Sequence, residues 1–326
     1  MPSTDSPGKG LNNPENKAAV KPPLVVILGP TAVGKTEVSI KLAKRLRGEI
    51  VSADSRLLYQ GMDIGTAKPS QLERSPIPHH LIDVAQPDQV WSLAIYKAAA
   101  IQAIEEIHAR KRLPFLVGGT GQYIRAIVEQ WDIPPAQPNP QLRRILEKWA
   151  ERESGQRLHQ RLALLDPQAA KVIDPRNLRR TVRALEVILT TGRRFSSHRR
   201  RIPGQYRLFM VGLTRPRPEL YARIDARIER MMETGLVEEV RTLLAQGYSP
   251  DLTAFSAIGY REIICYLNGE LTLEAAVAQM KRRTRNFVRR QANWFKLEAA
   301  DIHWYGARPG VEEDIETDIW EWLAAS

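Results

Sequence analysis

One cysteine, Cys265, in 326 residues excludes an internal disulfide framework and a zinc site built on several thiolates. That scarcity fits a reducing compartment. Long apolar runs are missing as well: no stretch approaches the roughly 20 residues that span a bilayer, and the N-terminus lacks the apolar segment of a secretory signal. The expectation is a soluble, cytoplasmic protein. Acidic residues are few beside basic ones, 37 against 48, which leaves a net charge of +11. An enzyme of small molecules needs no such excess, so a polyanionic partner is expected, nucleic acid first; a basic surface kept for solubility is the competing reading. No internal repeat at a fixed period is visible. The length suits one large domain with an appendage.

What is present is organised around Leu24 to Thr36, LVVILGPTAVGKT. An apolar run breaks at Gly29 and ends in Gly34, Lys35 and Thr36, meeting the pattern G-x-x-x-x-G-K-[ST] between a strand signal and a helical one. The glycines let backbone N–H groups turn inward around an anion, the following helix offers its positive end, Lys35 supplies a point charge and Thr36 can hold Mg²⁺. ATP, GTP and an organic diphosphate fit such a cradle equally.

Residues 1–22 have almost no apolar content and are expected to be a disordered tail. Residues 23–130 read as the first part of an α/β core. A helix from Glu37 to Leu46 is stopped by Gly48, and a strand from Glu49 to Ala53 runs into Asp54 and Ser55, at the rim where ligands of open sheets bind. Further strands are expected at Leu81–Val84, after the pair His79-His80, and at Pro114–Val117, with a helix from Ser92 to Arg110 between them. The sequel Gly118 to Gly121, with Thr120 inside it, lets backbone approach something closely. Four prolines between 131 and 140 then end the α/β pattern.

Residues 131–206 read as a helical, basic insertion, with helices centred on Ile145, Leu162 and Ala184. From Gln141 to Gln205 there are 16 Lys and Arg against 6 Asp and Glu, nearly the whole chain's excess. Arg199, Arg200 and Arg201 are either part of an electrostatic clamp or a solvated charge run. Residues 207–326 resume the core with a strand at Arg207–Leu213. Helices follow at Glu219–Glu233, Leu236–Ala245, Tyr260–Leu267 and Leu273–Ala299, with a last strand near Asp301–Tyr305. Lys281 to Lys296 holds seven basic residues and no acidic one, interleaved with Phe287, Trp294 and Phe295.

A kinase or ATPase places a second acid at a strand end for Mg²⁺. Here PFLVGGTG ends in glycine, and Asp83 follows only Leu81 and Ile82. That shortfall lowers the nucleotide-hydrolysis reading. A small-molecule kinase and an RNA-binding nucleotide switch remain the alternatives.

The blocks GPTAVGKT, SADSRLLYQGMDIGTAKP, PHHLIDV, PFLVGGTGQYI, RRTVRALEVILTTG and AIGYREI, with the helix KRRTRNFVRRQANWF, resemble the tRNA dimethylallyltransferase (tRNA isopentenyltransferase) family from residue 24 to 300. The resemblance implies a P-loop NTPase-like parallel sheet core with a helical insertion domain. It implies transfer of a dimethylallyl group from dimethylallyl diphosphate to the exocyclic amine of the adenosine immediately 3′ of the anticodon in tRNA, with Mg²⁺. It also implies that Gly29, Pro30, Thr31, Ala32, Val33, Gly34, Lys35 and Thr36 hold the diphosphate, with Lys35 neutralising it and Thr36 near Mg²⁺. Asp54 becomes the general base. Ser55, Arg56 and Leu57, together with Arg179, Arg180, Thr181, Val182 and Arg183, fall in blocks that touch the RNA, and Thr120 lies in the reaction channel. An arginine of LYARIDARIERM meets the diphosphate; Arg223 is the choice, with Arg227 its competitor. Membrane association is not expected, and a monomer is the default.

Overall fold

The computed structural model describes residues 21–133, 139–199 and 204–325. The expected tail up to residue 20, most of the proline-rich junction, Arg200, Arg201 and the side chain of Arg199 lie outside the described part.

Six parallel strands form one sheet in the order β3-β2-β4-β1-β5-β6. β1 (Pro23–Leu28) lies inside it, with Val25 opposite Phe115 of β4 (Leu113–Gly118) and Phe209 of β5 (Arg207–Thr214). Being covered on both faces, β1 is apolar without alternation, and Leu24 to Leu28 are fully buried. The chain leaves β1, returns as β2 (Gly48–Ser52) and β3 (His79–His80), and only then fills the gap with β4. The carboxyl ends of β1, β2 and β4 therefore open onto one crevice at the reversal of strand order, where open α/β sheets bind ligands.

α1 (Lys35–Arg45) starts from Gly34 at φ 115°, a left-handed conformation that glycine adopts without strain. It ends at Leu46 and Arg47, so Gly48 is not its stop. Gly48 is the first residue of β2, where a side chain would run into the Phe115 ring. Leu81–Val84 is likewise not a strand, because Leu81 and Asp83 have φ of 61° and 58°. The pairing falls instead on His79 and His80, opposite Ile50 and Val51. His80 bonds the buried Glu49 at 2.8 Å, a structural role.

A single turn, α2 (Gln71–Arg74), is closed by the Ser70–Glu73 capping box. α3 (Leu93–Ala109) begins at the Ser92 cap, and α4 (Gly121–Val128) follows β4 directly. α5 (Pro140–Glu153), α6 (Gly155–Leu165), α7 (Pro167–Val172) and α8 (Leu178–Thr191) form the insertion, with Gly192 closing α8 and a 3-10 turn at Phe195–Arg199. This unit has its own buried cluster, including Leu146, Leu158, Leu162 and Leu185, apart from the core around the sheet.

After β5 come α9 (Arg217–Glu233), α10 (Leu236–Ala245), α11 (Tyr260–Leu267) and α12 (Leu273–Ala292). α12 stops seven residues before the expected Ala299, so Trp294 and Phe295 lie on the chain beyond it. β6 (His303–Gly306) leads to α13 (Val311–Ala324), which packs on α1 through Lys41–Glu312 at 2.7 Å and Arg45–Glu313 at 2.8 Å. Among the described residues no helix is long and apolar enough to cross a membrane.

Candidate active site

The loop after β1 is a closed cradle. Gly29 packs where a Cβ would lie 2.6 Å from the Leu213 carbonyl, so β5 enforces glycine there. Lys35 turns back over the loop and donates to the carbonyls of Gly29 at 3.0 Å and Pro30 at 2.8 Å. Burial pulls its pKa down from 10.5 to about 8, the Asp54 carboxylate works against that pull, and Arg227 adds to it. The lysine is thus within electrostatic reach of both groups. Pro30 is half-buried, Ala32 takes φ 65°, Val33 is buried, and Thr36 is exposed at the start of α1.

Both arginines of α9 reach the cradle, but differently. Four residues apart, they share one face of the helix. Arg223 donates from Nε to the Ala32 carbonyl at 2.9 Å, while Arg227 donates to the Thr31 hydroxyl at 3.4 Å. Arg227 also lines a cavity of about 530 Å³ that opens beside the cradle, and Arg223 does not. Burial, then Arg223 and Arg230, lower the Arg227 pKa, so this cation is held where an anion would relieve it.

The same cavity takes Asp54, Ser55 and Arg56 from the end of β2 and Thr120 from the end of β4. Asp54 Oδ1 accepts the Arg56 N–H at 2.9 Å, which turns the chain sharply after the strand. Thr120 Oγ1 accepts the Ser55 N–H at 3.1 Å, tying the two strand ends together. Arg56 runs outward to the carbonyl of Thr253 at 3.2 Å and the hydroxyl of Ser256 at 3.2 Å, and burial lowers its pKa against the pull of Asp54. Leu57 is half-buried and outside the cavity lining; its carbonyl accepts the Asp83 N–H.

Of the insertion's five expected RNA-contacting residues, the structure brings one to the cavity, Arg179. Arg180 starts the helix on the Asn177 cap, and Arg183 is paired with the fully buried Glu186 at 2.6 Å. The side chains of Thr181 and Val182 are buried and face away from solvent. A helix presents alternate faces, so a contiguous block of five cannot all face one ligand.

Several functional neighbours lie outside the expected set. Gln291, buried near the end of α12, accepts the Thr31 N–H at 2.9 Å and donates to the Gly119 carbonyl at 3.0 Å. Phe287 and Trp294 line the cavity, whereas Phe295 packs against the main core. Glu239 of α10 accepts the N–H groups of Asp63 at 2.9 Å, Ile64 at 2.7 Å and Gly65 at 3.2 Å, which holds the loop leading to Thr66 on the cavity wall. Asp83 is excluded as a metal acid, because Lys68 at 2.5 Å and Arg74 at 3.2 Å both pair with it.

The IPP transferase family model matches residues 57–298, and an isopentenyl transferase model matches residues 22–83. The chain is similar to the tRNA dimethylallyltransferase of Thermomicrobium roseum, 50% identical over 298 residues that cover 91% of this chain and 90% of that one. It is likewise similar to that of a Roseiflexus species, 48% identical over 303 residues covering 93% and 99%. Among solved structures, the full-length tRNA isopentenylpyrophosphate transferase of Bacillus halodurans superposes with a TM-score of 0.69 at 42% identity, covering 94% and 96%. A eukaryotic dimethylallyltransferase acting on tRNA gives 0.77 at 26% identity, covering 92% and 77%. With its P-loop NTPase-like sheet, its helical insertion and these likenesses over nearly its whole length, the chain belongs to the IPP transferase family of tRNA-modifying enzymes.

Proposed function

We propose that this protein transfers a dimethylallyl group from dimethylallyl diphosphate to the exocyclic amine of the adenosine immediately 3′ of the anticodon in tRNA. The observation that carries the reading is a single cavity lined by the P-loop's Thr31 and Arg227 and also by Asp54 and Thr120. A donor diphosphate and an acceptor base can meet there. An exocyclic adenine amine is a poor nucleophile, its lone pair being delocalised into the ring. The site must therefore position it, remove its proton and stabilise the departing anion.

In this mechanism the cradle's N–H groups, Lys35 and Arg227 take the diphosphate, and Arg223 braces the loop from outside through the Ala32 carbonyl. The amine nitrogen forms its bond to C1 of the allyl group as the C1–O bond breaks, the electron pair leaves with diphosphate, and the amine proton passes to Asp54. Thr120 keeps the Asp54–Ser55 turn in place. The base reaches this depth only by leaving its stack, as bases do for enzymes that modify them.

Among the described residues no cluster of three or more His, Cys, Asp or Glu is arranged to hold a metal. Mg²⁺ is commonly held by one or two protein oxygens and the substrate's phosphates, and the exposed Thr36 hydroxyl at the start of α1 suits that mode. When bound there, Mg²⁺ would neutralise charge on the leaving diphosphate.

Incubating the protein with labelled dimethylallyl diphosphate and unmodified tRNA, beside an ATP-turnover assay, tests the reading. Label in tRNA at the adenosine 3′ of the anticodon is the expected result. ATP turnover without label transfer would favour a kinase, and neither activity would leave an RNA-binding switch.

A further inference from the structure

The glycines after β4 read in the sequence as a place for a ligand to approach the backbone. Their neighbours are instead two side chains from the end of α12 and the turn after it. A Cβ on Gly119 would collide with Nε2 of Gln291, and one on Gly121 with the indole of Trp294. Gly119 leaves the room in which the Gln291 amide is seated.

That amide has two partners of opposite kind. Its Oε1 accepts the N–H of Thr31, in the cradle, at 2.9 Å, and its Nε2 donates to the carbonyl of Gly119 at 3.0 Å. The carboxamide accepts from one and donates to the other through two separate atoms without any change of protonation; a carboxylate or an apolar isostere serves one partner at most. Gly119 immediately precedes Thr120, whose hydroxyl accepts from Ser55 beside Asp54. One buried side chain thus joins the loop that would hold the leaving group to the loop whose Thr120 ties down the turn carrying Asp54. It does so from the helix whose Arg283, Phe287 and Arg290 line the same cavity.

We infer that Gln291 is a positioning residue: its amide sets the spacing between the diphosphate cradle and the Asp54–Thr120 acceptor side, an inference that rests on the transfer reaction proposed above. Its loss leaves both half-sites built but out of register. The effect should fall on turnover and spare substrate capture, because a misplacement of about 1 Å costs roughly 10²-fold in rate.

The test compares wild type, Gln291→Met, Gln291→Glu and Gly119→Ala in dimethylallyl transfer to unmodified tRNA, with KM, tRNA affinity and thermal melting measured alongside. Gln291→Met should lower kcat by about 30- to 100-fold while KM for the donor and tRNA affinity stay within about threefold. Gln291→Glu should be slow near pH 8, where its carboxylate opposes the Gly119 carbonyl. It should recover about tenfold relative to wild type by about pH 6, as protonation of a buried carboxyl restores the donor. This arm also serves if Gln291→Met fails to fold. Gly119→Ala should reproduce the kcat loss and add little to Gln291→Met, as expected for two members of one contact. A folded Gln291→Met with kcat within about threefold of wild type, or a Gln291→Glu ratio flat with pH, overturns the inference. A wild-type protein that transfers no label overturns the underlying reaction and this inference with it, whereas wild-type transfer with an unaffected Gln291→Met overturns this inference alone.

Discussion

At the scale of single residues, the proposed transfer turns on charge at Lys35 and Asp54. Lys35→Ala should slow transfer by at least about 10²-fold, the loss typical of one preorganised electrostatic group. The lysine also predicts a pH limb. Its pKa in the folded protein is about 8 against an ordinary 10.5, so above about pH 8 the free enzyme must take up a proton to capture the donor. Calorimetric affinity for dimethylallyl diphosphate should weaken above that point, and Lys35→Arg, which keeps its charge, should flatten the limb. An unchanged limb in that variant would remove Lys35 as its source. The stability sign is separate: between about 8 and 10.5 the folded chain binds fewer protons than the unfolded one, so this lysine's contribution rises with pH through that window. Asp54→Asn should slow the transfer step by roughly 10²- to 10⁴-fold with tRNA affinity nearly unchanged. Failure through tRNA binding instead would make Asp54 a recognition residue. The place of Asp54 on the cavity was legible because polar residues just past a parallel strand mark the ligand rim, and that of Thr120 because it sits in the glycine run after β4. Gln291 was not, since its partners lie 172 and 260 positions away and a polar residue on a basic helix reads as solvated. Arg223 and Arg227 could not be ranked by spacing alone, being one helical turn apart.

Among the elements, α12 separates two kinds of positive charge that the sequence presents as one run. Lys281 pairs with Glu229 at 2.8 Å, Arg283 with the buried Glu262 at 2.5 Å, and Arg285 with Asp225. Among the described residues Arg282 and Arg289 have no such partner and are exposed. Replacing Arg282 and Arg289 by Gln should flatten the log-log salt dependence of tRNA binding by about 0.7 to 0.9 for each phosphate that these arginines neutralise. Equal slopes across a salt series would mean that these arginines are merely solvated. Strong helical periodicity made α9, α10 and α11 legible almost to the residue. α4 was hidden because it starts inside a glycine run, and α13 was missed although Val311, Ile315 and Ile319 repeat at helical spacing. β3 was displaced by two residues because Leu81 and Ile82 look like strand, while the backbone at Leu81 is left-handed.

For the molecule as a whole, two buried clusters mean two parts whose failures can be distinguished. Leu162 is fully buried in the insertion's cluster, and Leu162→Ala should cost about 2–5 kcal/mol of that unit's stability. The expected result is weakened tRNA binding and faster proteolysis within residues 140–199, with dimethylallyl diphosphate binding retained; loss of donor binding as well would show that the two parts unfold together. The sequence marked the division through the proline-rich break and the abrupt change in charge. What it could not convey is how charge is distributed in space. α13 carries six acidic residues and no basic one, and it packs on α1 and the β5–β6 side of the sheet, while the insertion holds most of the net excess. Four of those six acids are paired, Glu312 with Lys41, Glu313 and Glu316 with Arg45 and Asp314 with Arg308, so charge is locally balanced there and stands in excess on the insertion. A polyanion is drawn toward the insertion rather than toward α13, so the field favours that encounter before any contact forms, and the gain appears in association rate more than in residence time.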